Sequence, residues 1–420
     1  MFIIEYKIKA KNVQYRAIDE AIRTAQFVRN KALRFWMDNE KVNKYDLNKY
    51  CRVLAQEYPF AKNLNLTARQ ASAERAWSAI SRFYKNCKRS PNKGVEDGKK
   101  GFPKFKKNQR SVEYKRSGWK LDEQTKKHIT FTDKKGIGRL KLIGSRDIYF
   151  YSLDHIRRVR LIRRADGYYV QFCIAIEVTE QVEPTGQAVG LDVGLKYFYA
   201  DSNGHTEPNS RFYRQGEKRL NRLNCCKSRK CLKGQKQSKN YHKARKRYAK
   251  LHLRISRQRE EYAKRLACCV IRSNDWVAYE DLQIKNLVRN RHLSKSISDA
   301  GWYQFRKWME YFGKKFGKIT IAVPPHFTSQ DCPQCGKLSP KSLSNRTHNC
   351  SCGFCEDREV AASMTLLQKA VRTVEHTETA VRLRSPSIVE VNASGDTAST
   401  VVGEILLQQV ESLNEDPPDS

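Results

Sequence analysis

The chain has 420 residues, enough for two or three domains, and 39% of them are hydrophobic, enough to bury a core in at least one. A fibre and a fully disordered chain are therefore excluded. The 81 Lys and Arg against 44 Asp and Glu leave a formal net charge of +37, a density that repels itself unless a polyanion balances it, and nucleic acid is the expected counter-charge. A membrane surface is the competing polyanion, but no apolar run approaches the roughly 18 residues of a spanning helix, and the opening MFIIEYKIKAKN lacks a signal-peptide apolar region. The expectation is a soluble protein of the cytosol, associated with the nucleoid and with no membrane partner. The 13 cysteines are odd in number, and the neighbours Cys225/Cys226 and Cys268/Cys269 are poorly placed to bridge one another, so reduced thiols or metal ligands are expected rather than disulfides.

Residues 2 to 9 read as a strand. Ile18, Ile22, Ala25, Val28, Ala32 and Trp36 then recur at helical spacing. Thr67 with Gln70 suggests a capping box, after which Ala73, Ala76, Trp77, Ile80, Phe83 and Tyr84 trace one apolar helix face. From Tyr84 to Arg116 the chain carries 12 Lys and Arg against three acids, with Phe102, Phe105 and Tyr114 among the charges. Such interleaving suits nucleic acid, where rings stack on bases while cations meet phosphates; a solvated basic loop is the plainer alternative. Between about 125 and 180 the pattern is strand-like, clearest on either side of Asp166-Gly167, and Glu183-Pro-Thr-Gly186 separates this β region from the second half of the chain.

The run AVGLDVGLKYFYADSNG reads as two strands joined near Gly194. Residues 211 to 265 hold 21 Lys and Arg against three acids, a net of +18, with helical composition: a basic helical pair. A helix through Ala263 to Ile271, a strand at 275 to 282, an aromatic helix from Trp302 to Phe316 and a strand at 318 to 323 come next. Beyond about 376 eight acids oppose two basic residues, which reads as a poorly ordered acidic tail.

Two constellations carry chemistry. Cys332-Pro-Gln-Cys335-Gly and Cys350-Ser-Cys352-Gly, with His348 and Cys355 alongside, place five cysteines within 24 residues. Two close thiolate pairs brought together by a loop suit structural zinc, and Gly after the second thiolate lets the backbone turn around the metal. Plain Cys-x-x-Cys spacing favours pairing Cys352 with Cys355. The matched glycines favour Cys350 with Cys352, and the expected ligands are Cys332, Cys335, Cys350 and Cys352. The second constellation is carboxylate: Asp192 in the apolar strand Val189–Gly194, Glu280 near the end of WVAYEDL, and Asp357 and Glu359 at a helix start. An unpaired buried charge costs several kcal/mol, so such acids need partners or a cation, and converging carboxylates form a hard oxygen site for Mg²⁺ or Mn²⁺. Taken singly, each is more readily a cap or a salt-bridge partner than a metal ligand, and only their order and context raise the functional reading.

GLDVG, YEDLQIKNL, CPQCG…HNCSCG followed by DREVAAS, and the early GFPKFKK together resemble the TnpB family of insertion-sequence proteins, related to the type V CRISPR effectors, over residues 1 to about 370. The resemblance implies an α/β and β multidomain chain: an RNase H-like, RuvC-type nuclease core with a zinc-ribbon insert, plus an N-terminal wedge-like β-barrel carrying a helical recognition insert. By that likeness the barrel takes residues 1–15 and 117–182, the insert 16–116, the core 187–330 and 355–372 with a basic helical insert at 211–265, and the zinc element 331–354. The remaining 376–420 forms the acidic tail. It also implies a guide RNA, a double-stranded DNA target and Mg²⁺-supported cleavage, with base pairing reading sequence and the protein holding backbones. The basic blocks 85–116 and 211–265 would hold guide and heteroduplex.

By position, Asp192 matches the family's first catalytic aspartate and Glu280 its glutamate. Where the family has Asp-Arg-Asp-x-Asn-Ala-Ala, this chain reads Asp357-Arg-Glu359-Val-Ala361-Ala-Ser363, so the third metal ligand is Glu359. The resulting expectation is a transposon-encoded, RNA-guided, divalent-metal DNA endonuclease. Glu359 and Ala361 motivate a rival, an RNA-guided protein that occupies its target without cutting. A zinc-containing nucleic-acid chaperone with no guide is a third reading.

Overall fold

The computed structural model describes residues 2–88 and 101–384, except 123, 126, 135, 145–147, 149–150, 176–179, 181, 341 and 343–344. The tail beyond 384, residues 89–100 of the first basic block and most of residues 176–181 at the end of the expected β region lie outside the described residues. The chain divides into two compact units, Met1–Glu177 and Val178–Ser420.

In the first unit, β1 (Phe2–Lys9) leads into helices α1 (Asn12–Asp38), α2 (Lys44–Glu57), α3 (Pro59–Asn63) and α4 (Leu66–Lys88). Six strands follow: β2 (Ser111–Lys115), β3 (Trp119–Leu121), β4 (His128–Phe131), β5 (Gly138–Ile143), β6 (Ile156–Arg164) and β7 (Gly167–Ile174). All seven pair antiparallel in the order β2-β6-β7-β1-β5-β4-β3. The two edge strands are joined only by Arg116–Gly118. A flat seven-stranded sheet would hold its edges about 29 Å apart, whereas such a link spans at most about 14 Å, so the sheet must curl into a partial barrel. Its interior is filled by the inward residues of the strands together with Ile18, Ala21, Ile22 and Ala25 of α1 and Ala68 of α4. Further along α1, Val28, Ala32 and Leu33 pack with Leu47, Cys51, Leu54, Ala73, Ala76 and Ile80, so the helices also own a small core of their own.

The start of α4 differs from its expected cap. Asn65, not Thr67, accepts from the helix: its Oδ1 takes the Thr67 amide at 2.8 Å and the Thr67 hydroxyl at 2.6 Å. An Asx residue one position before the first turn reaches the free amides that Thr67, already inside the helix, cannot cap.

The second unit is built on β8 (Ala188–Asp192), β9 (Tyr197–Asp201), β10 (Thr206–Pro208), β11 (Trp276–Glu280) and β12 (Ile319–Val323). Between them lie α5 (Phe212–Arg229), α6 (Lys239–Ser273), α7 (Ile284–Leu287), α8 (Ser294–Ala300) and α9 (Trp302–Phe316), and after them β13 (Thr347–Asn349), β14 (Cys355–Asp357) and α10 (Arg358–Arg384). The sheet order is β10-β9-β8-β11-β12; β8, β11 and β12 run parallel, while β9 and β10 are antiparallel. Helices cover both faces, as a largely parallel buried sheet requires. Val189, Leu191, Val277 and Tyr279 face α6 and α9, packing with Ala263, Ala267, Val270, Phe305 and Met309. The alternate residues Ala188, Trp276 and Ala278 face α10, against Leu366, Leu367, Ala370 and Val371.

Two boundaries differ from expectation. The basic segment and the helix through Ile271 are joined in one 35-residue α6, whose first turns are cationic and whose last turns enter the core. Its composition changes midway while its backbone periodicity does not. The backbone of α10 continues as helix through Arg384, past the expected tail boundary at 376.

Candidate active site and cysteine centre

Period-two alternation places the first two carboxylates. Leu191 and Tyr279 are paired in register and both face α6 and α9, so the next residues, Asp192 and Glu280, turn to the α10 side at the carboxyl ends of adjacent parallel strands. That edge is where ligands sit in open α/β sheets. The third carboxylate comes from the first turn of α10, where Glu359 is only 6% exposed. Two glycines let the helix approach. A Cβ on Gly190 would stand 2.0 Å from the Ser363 carbonyl oxygen, and a Cβ on Gly194 would stand 2.9 Å from a Glu359 carboxylate oxygen. A side chain at Gly190 would hold α10 off the strand, and one at Gly194 would displace the Glu359 carboxylate.

Asp192 senses the other two acids. Burial, then the charges of Glu280 and Glu359, push the Asp192 carboxyl well above the usual range. Burial also raises Glu280, opposed by a hydrogen bond from the Thr328 hydroxyl and by the Lys369 ammonium. Glu359 is raised by burial and by Asp357, opposed by Arg346, whose guanidinium lies 3.4 Å away. Burial raises all three carboxyls despite the facing charges of Lys369, Arg346 and Arg358. Asp357 has other duties: its Oδ1 accepts the Glu359 amide at 2.9 Å, capping α10, and it pairs with Lys196 at 3.5 Å. Thr328 and Arg346 are site residues that the sequence reading missed. Nothing in their local sequence marks them, because each meets its acid only through tertiary structure.

The cysteines converge more tightly. The sulfurs of Cys332, Cys335, Cys350 and Cys352 all lie within 4.8 Å of one another, with Cys332–Cys352 at 3.7 Å and Cys335–Cys350 at 3.5 Å. Four thiolates about 2.3 Å from a tetrahedral Zn²⁺ would sit about 3.8 Å apart, so the cluster fits zinc. Among the described residues this is the one group of three or more metal-type ligands so closely gathered; the three carboxylates are spaced more widely. Gly336 and Gly353 adopt φ of 72° and 93°, the left-handed turn expected after each second thiolate. Cys355 stands apart on β14, and the buried His348 lies on β13 with its ring against Phe354. Hydrogen bonding by the Cys352 amide lowers the Cys350 thiol to about 6, while burial pushes Cys332 up to about 12.

The cysteine element is fastened to α10. Thr365 donates to the Asp331 carbonyl, Gln368 to the Pro333 carbonyl at 2.6 Å, and Lys369 pairs with the Asp331 carboxylate at 2.6 Å. The helix that carries Glu359 is thereby braced by the residues leading into the thiols.

Fold and site together define an α/β protein with a four-cysteine element inserted before the helix that carries Glu359. The family model OrfB_IS605, "Probable transposase", matches residues 171–291, and the Cas12f1-like TNB domain matches residues 302–366. These matches support a likeness to the TnpB family of insertion-sequence proteins. A Streptomyces pristinaespiralis protein named "Putative RNA-guided DNA endonuclease" is 32% identical over 206 residues, 49% of this chain and 50% of the relative, so the match spans half of that relative's length. An Escherichia coli K12 protein of the same name with the suffix InsQ is 26% identical over 288 residues, 64% of this chain and 67% of the relative. Among solved structures, a Cas12f1–sgRNA–target DNA complex shares the fold, with a TM-score of 0.51 at 13% identity over 85% of this chain and 83% of that one. Among the described residues no helix is long and apolar enough to cross a membrane.

Proposed function

We propose that this chain is a transposon-encoded, RNA-guided DNA endonuclease in which Asp192, Glu280 and Glu359 hold Mg²⁺ or Mn²⁺. The observation that carries the reading is the meeting of these three acids at one end of the parallel strands β8 and β11. The strand order, with the first strand of the unit central, the second antiparallel beside it and the third antiparallel to the second, supports an RNase H-like, RuvC-type core. Bound divalent cations would supply charge neutralisation and activation of water at the scissile phosphate. The protein's own part is to fix three carboxylates: Thr328 orients Glu280, the Asp357 cap fixes the helix turn bearing Glu359, and Gly194 leaves room for the longer glutamate. Arg346 stands at the rim, where its charge can meet a phosphate.

Cys332, Cys335, Cys350 and Cys352 would hold structural Zn²⁺, cross-linking the ribbon that braces α10. The curled sheet of the first unit corresponds to the wedge-like barrel, and α1 to α4 to its recognition insert. The cationic surfaces of residues 85–116 and of α5 and the first half of α6 would grip the guide RNA and its duplex with target DNA by counterion release, leaving sequence to base pairing.

A second reading, occupancy of the target without cutting, is favoured by the wider carboxylate spacing and by the engagement of Glu359 with Arg346. Purified protein with its copurifying RNA, matched target duplex and Mg²⁺ separates the two. Cleavage abolished by Asp192→Ala supports the nuclease, whereas stable binding without nicks supports occupancy. A preparation in which sequencing finds no discrete RNA overturns both.

A further inference from the structure

The segment GFPKFKK contributes nothing to the carboxylate site, yet it is firmly placed. In residues 101–110 only Pro103 is buried, while Phe102, Lys104, Phe105, Lys106 and Lys107 are all exposed. The backbone is pinned along α1. Asn30 donates to the Lys106 carbonyl and accepts its amide, both at 2.9 Å; Arg29 donates to the Lys104 carbonyl at 3.3 Å; Gln26 accepts the Gln109 amide at 2.8 Å. A polar strap with its main chain satisfied by a helix and its side chains turned outward is built for presentation rather than for core packing.

What it presents is an aromatic surface edged with cations. Phe102 lies 5.8 Å from Trp36 and 5.3 Å from Phe83, and Trp36 lies 5.9 Å from Tyr84. Phe102 is nevertheless 54% exposed, Phe105 45% and Tyr84 43%. The Trp36 indole donates to the Tyr84 hydroxyl at 3.0 Å, and among the described residues the phenolic proton meets no acceptor. Arg82, Lys85 and Lys88 are exposed on the same end of α4. Among the described residues none of Lys104, Lys106 and Lys107 forms an ion pair.

We propose that the exposed rings of Tyr84 and Phe102, backed by the half-buried Trp36 and Phe83, form a stacking platform for unpaired RNA bases, with Lys104, Lys106 and Lys107 meeting the adjoining phosphates. This rests on the reading of the chain as RNA-guided and names the contact it makes outside the guide–target duplex. Charge decides the occupant. A second copy of the chain would bring the same unpaired lysines against themselves, whereas a single-stranded polynucleotide supplies both rings and anions. Exposed aromatic faces beside a hydroxyl donor suit RNA, whose splayed bases stack and whose 2′-hydroxyl accepts.

The test uses the full chain and a labelled 12-nucleotide oligouridine, with the deoxyuridine oligomer of equal length as a second probe. Phe102→Ala weakens oligouridine binding about tenfold, leaves the slope of log affinity against log salt unchanged, and Phe102→Tyr restores binding. The triple substitution Lys104→Gln, Lys106→Gln, Lys107→Gln lowers that slope by about 2, at roughly 0.7 per single-strand phosphate contact. Binding by Phe102→Ala within twofold of the parent overturns the platform; equal affinity for the deoxyuridine probe overturns its assignment to RNA. Self-association that Phe102→Ala abolishes shows the occupant to be a second copy and also overturns it. Guided cleavage by the parent is assayed in parallel. Cleavage without a Phe102 effect removes the platform alone, and a Phe102 effect without guided cleavage removes the RNA-guided nuclease reading alone.

Discussion

Replacing Gly190 with alanine tests whether the site depends on how closely α10 lies on β8. The added methyl would stand 2.0 Å from the Ser363 carbonyl oxygen and 3.0 Å from the Leu367 amide nitrogen, both main-chain atoms that no rotamer change can move. A carbon–oxygen contact needs about 3.3 Å, so helix and strand must part by about 1.3 Å. Glu359 lies one turn before Ser363 on the same rigid helix and moves with it. A displacement of about 1 Å at reacting groups can cost about 100-fold, so guided cleavage under single-turnover conditions falls by about that factor. Overpacking of this kind also costs about 1–3 kcal/mol, which lowers the melting temperature of a domain of this size by about 2–12 °C. Plasmid cleavage and thermal melting read the two effects separately. If Gly190→Ala cuts within threefold of the parent and melts unchanged, the close approach of α10 does not set the site, and the account of the carboxylates fails with it.

Other consequences of the same geometry can be measured. Glu359→Asp draws the carboxylate back from Gly194 by about one methylene and is expected to reduce cleavage about 100-fold; an increase would show that the glutamate is a defect rather than a fitted ligand. The carboxyl of Asp192 is held above its unfolded value, so its contribution to stability is present at low pH and is lost as pH rises from the ordinary carboxylate range through the raised one. Asp192→Asn should therefore raise the melting temperature of metal-free protein at pH 7.5 and have little effect near pH 4, and equal shifts at both would contradict this. Cys350→Ser, or removal of metal by chelation, should loosen the ribbon and, through Gln368 and Lys369, lower cleavage as well as stability. Retained zinc stoichiometry and full activity in Cys350→Ser would argue against that ligand set.

The sequence exposed much of this arrangement because strand periodicity is local. The runs around Asp192 and Glu280 alternate cleanly enough to place both acids at strand ends, and the paired Cys-Gly turns mark the four thiols without tertiary information. What stayed hidden depends on residues distant in the chain. Arg346 reaches Glu359, and Thr328 reaches Glu280, only after the ribbon folds onto α10. Gly190 looks like an ordinary strand glycine until Ser363 lies beneath it. The single helix Lys239–Ser273 reads as two because its composition switches from basic to apolar while its hydrogen bonding runs on.

That continuity has a mechanical meaning. At 1.5 Å per residue the rod is about 52 Å long, anchored at its far end by Ala263, Ala267, Val270 and Ile271 and ending three residues before β11. Ala244 and Ile255 are buried along its cationic half as well, Ile255 against Gly216 of α5, so one unbroken rod links the basic end to the strand that bears Glu280.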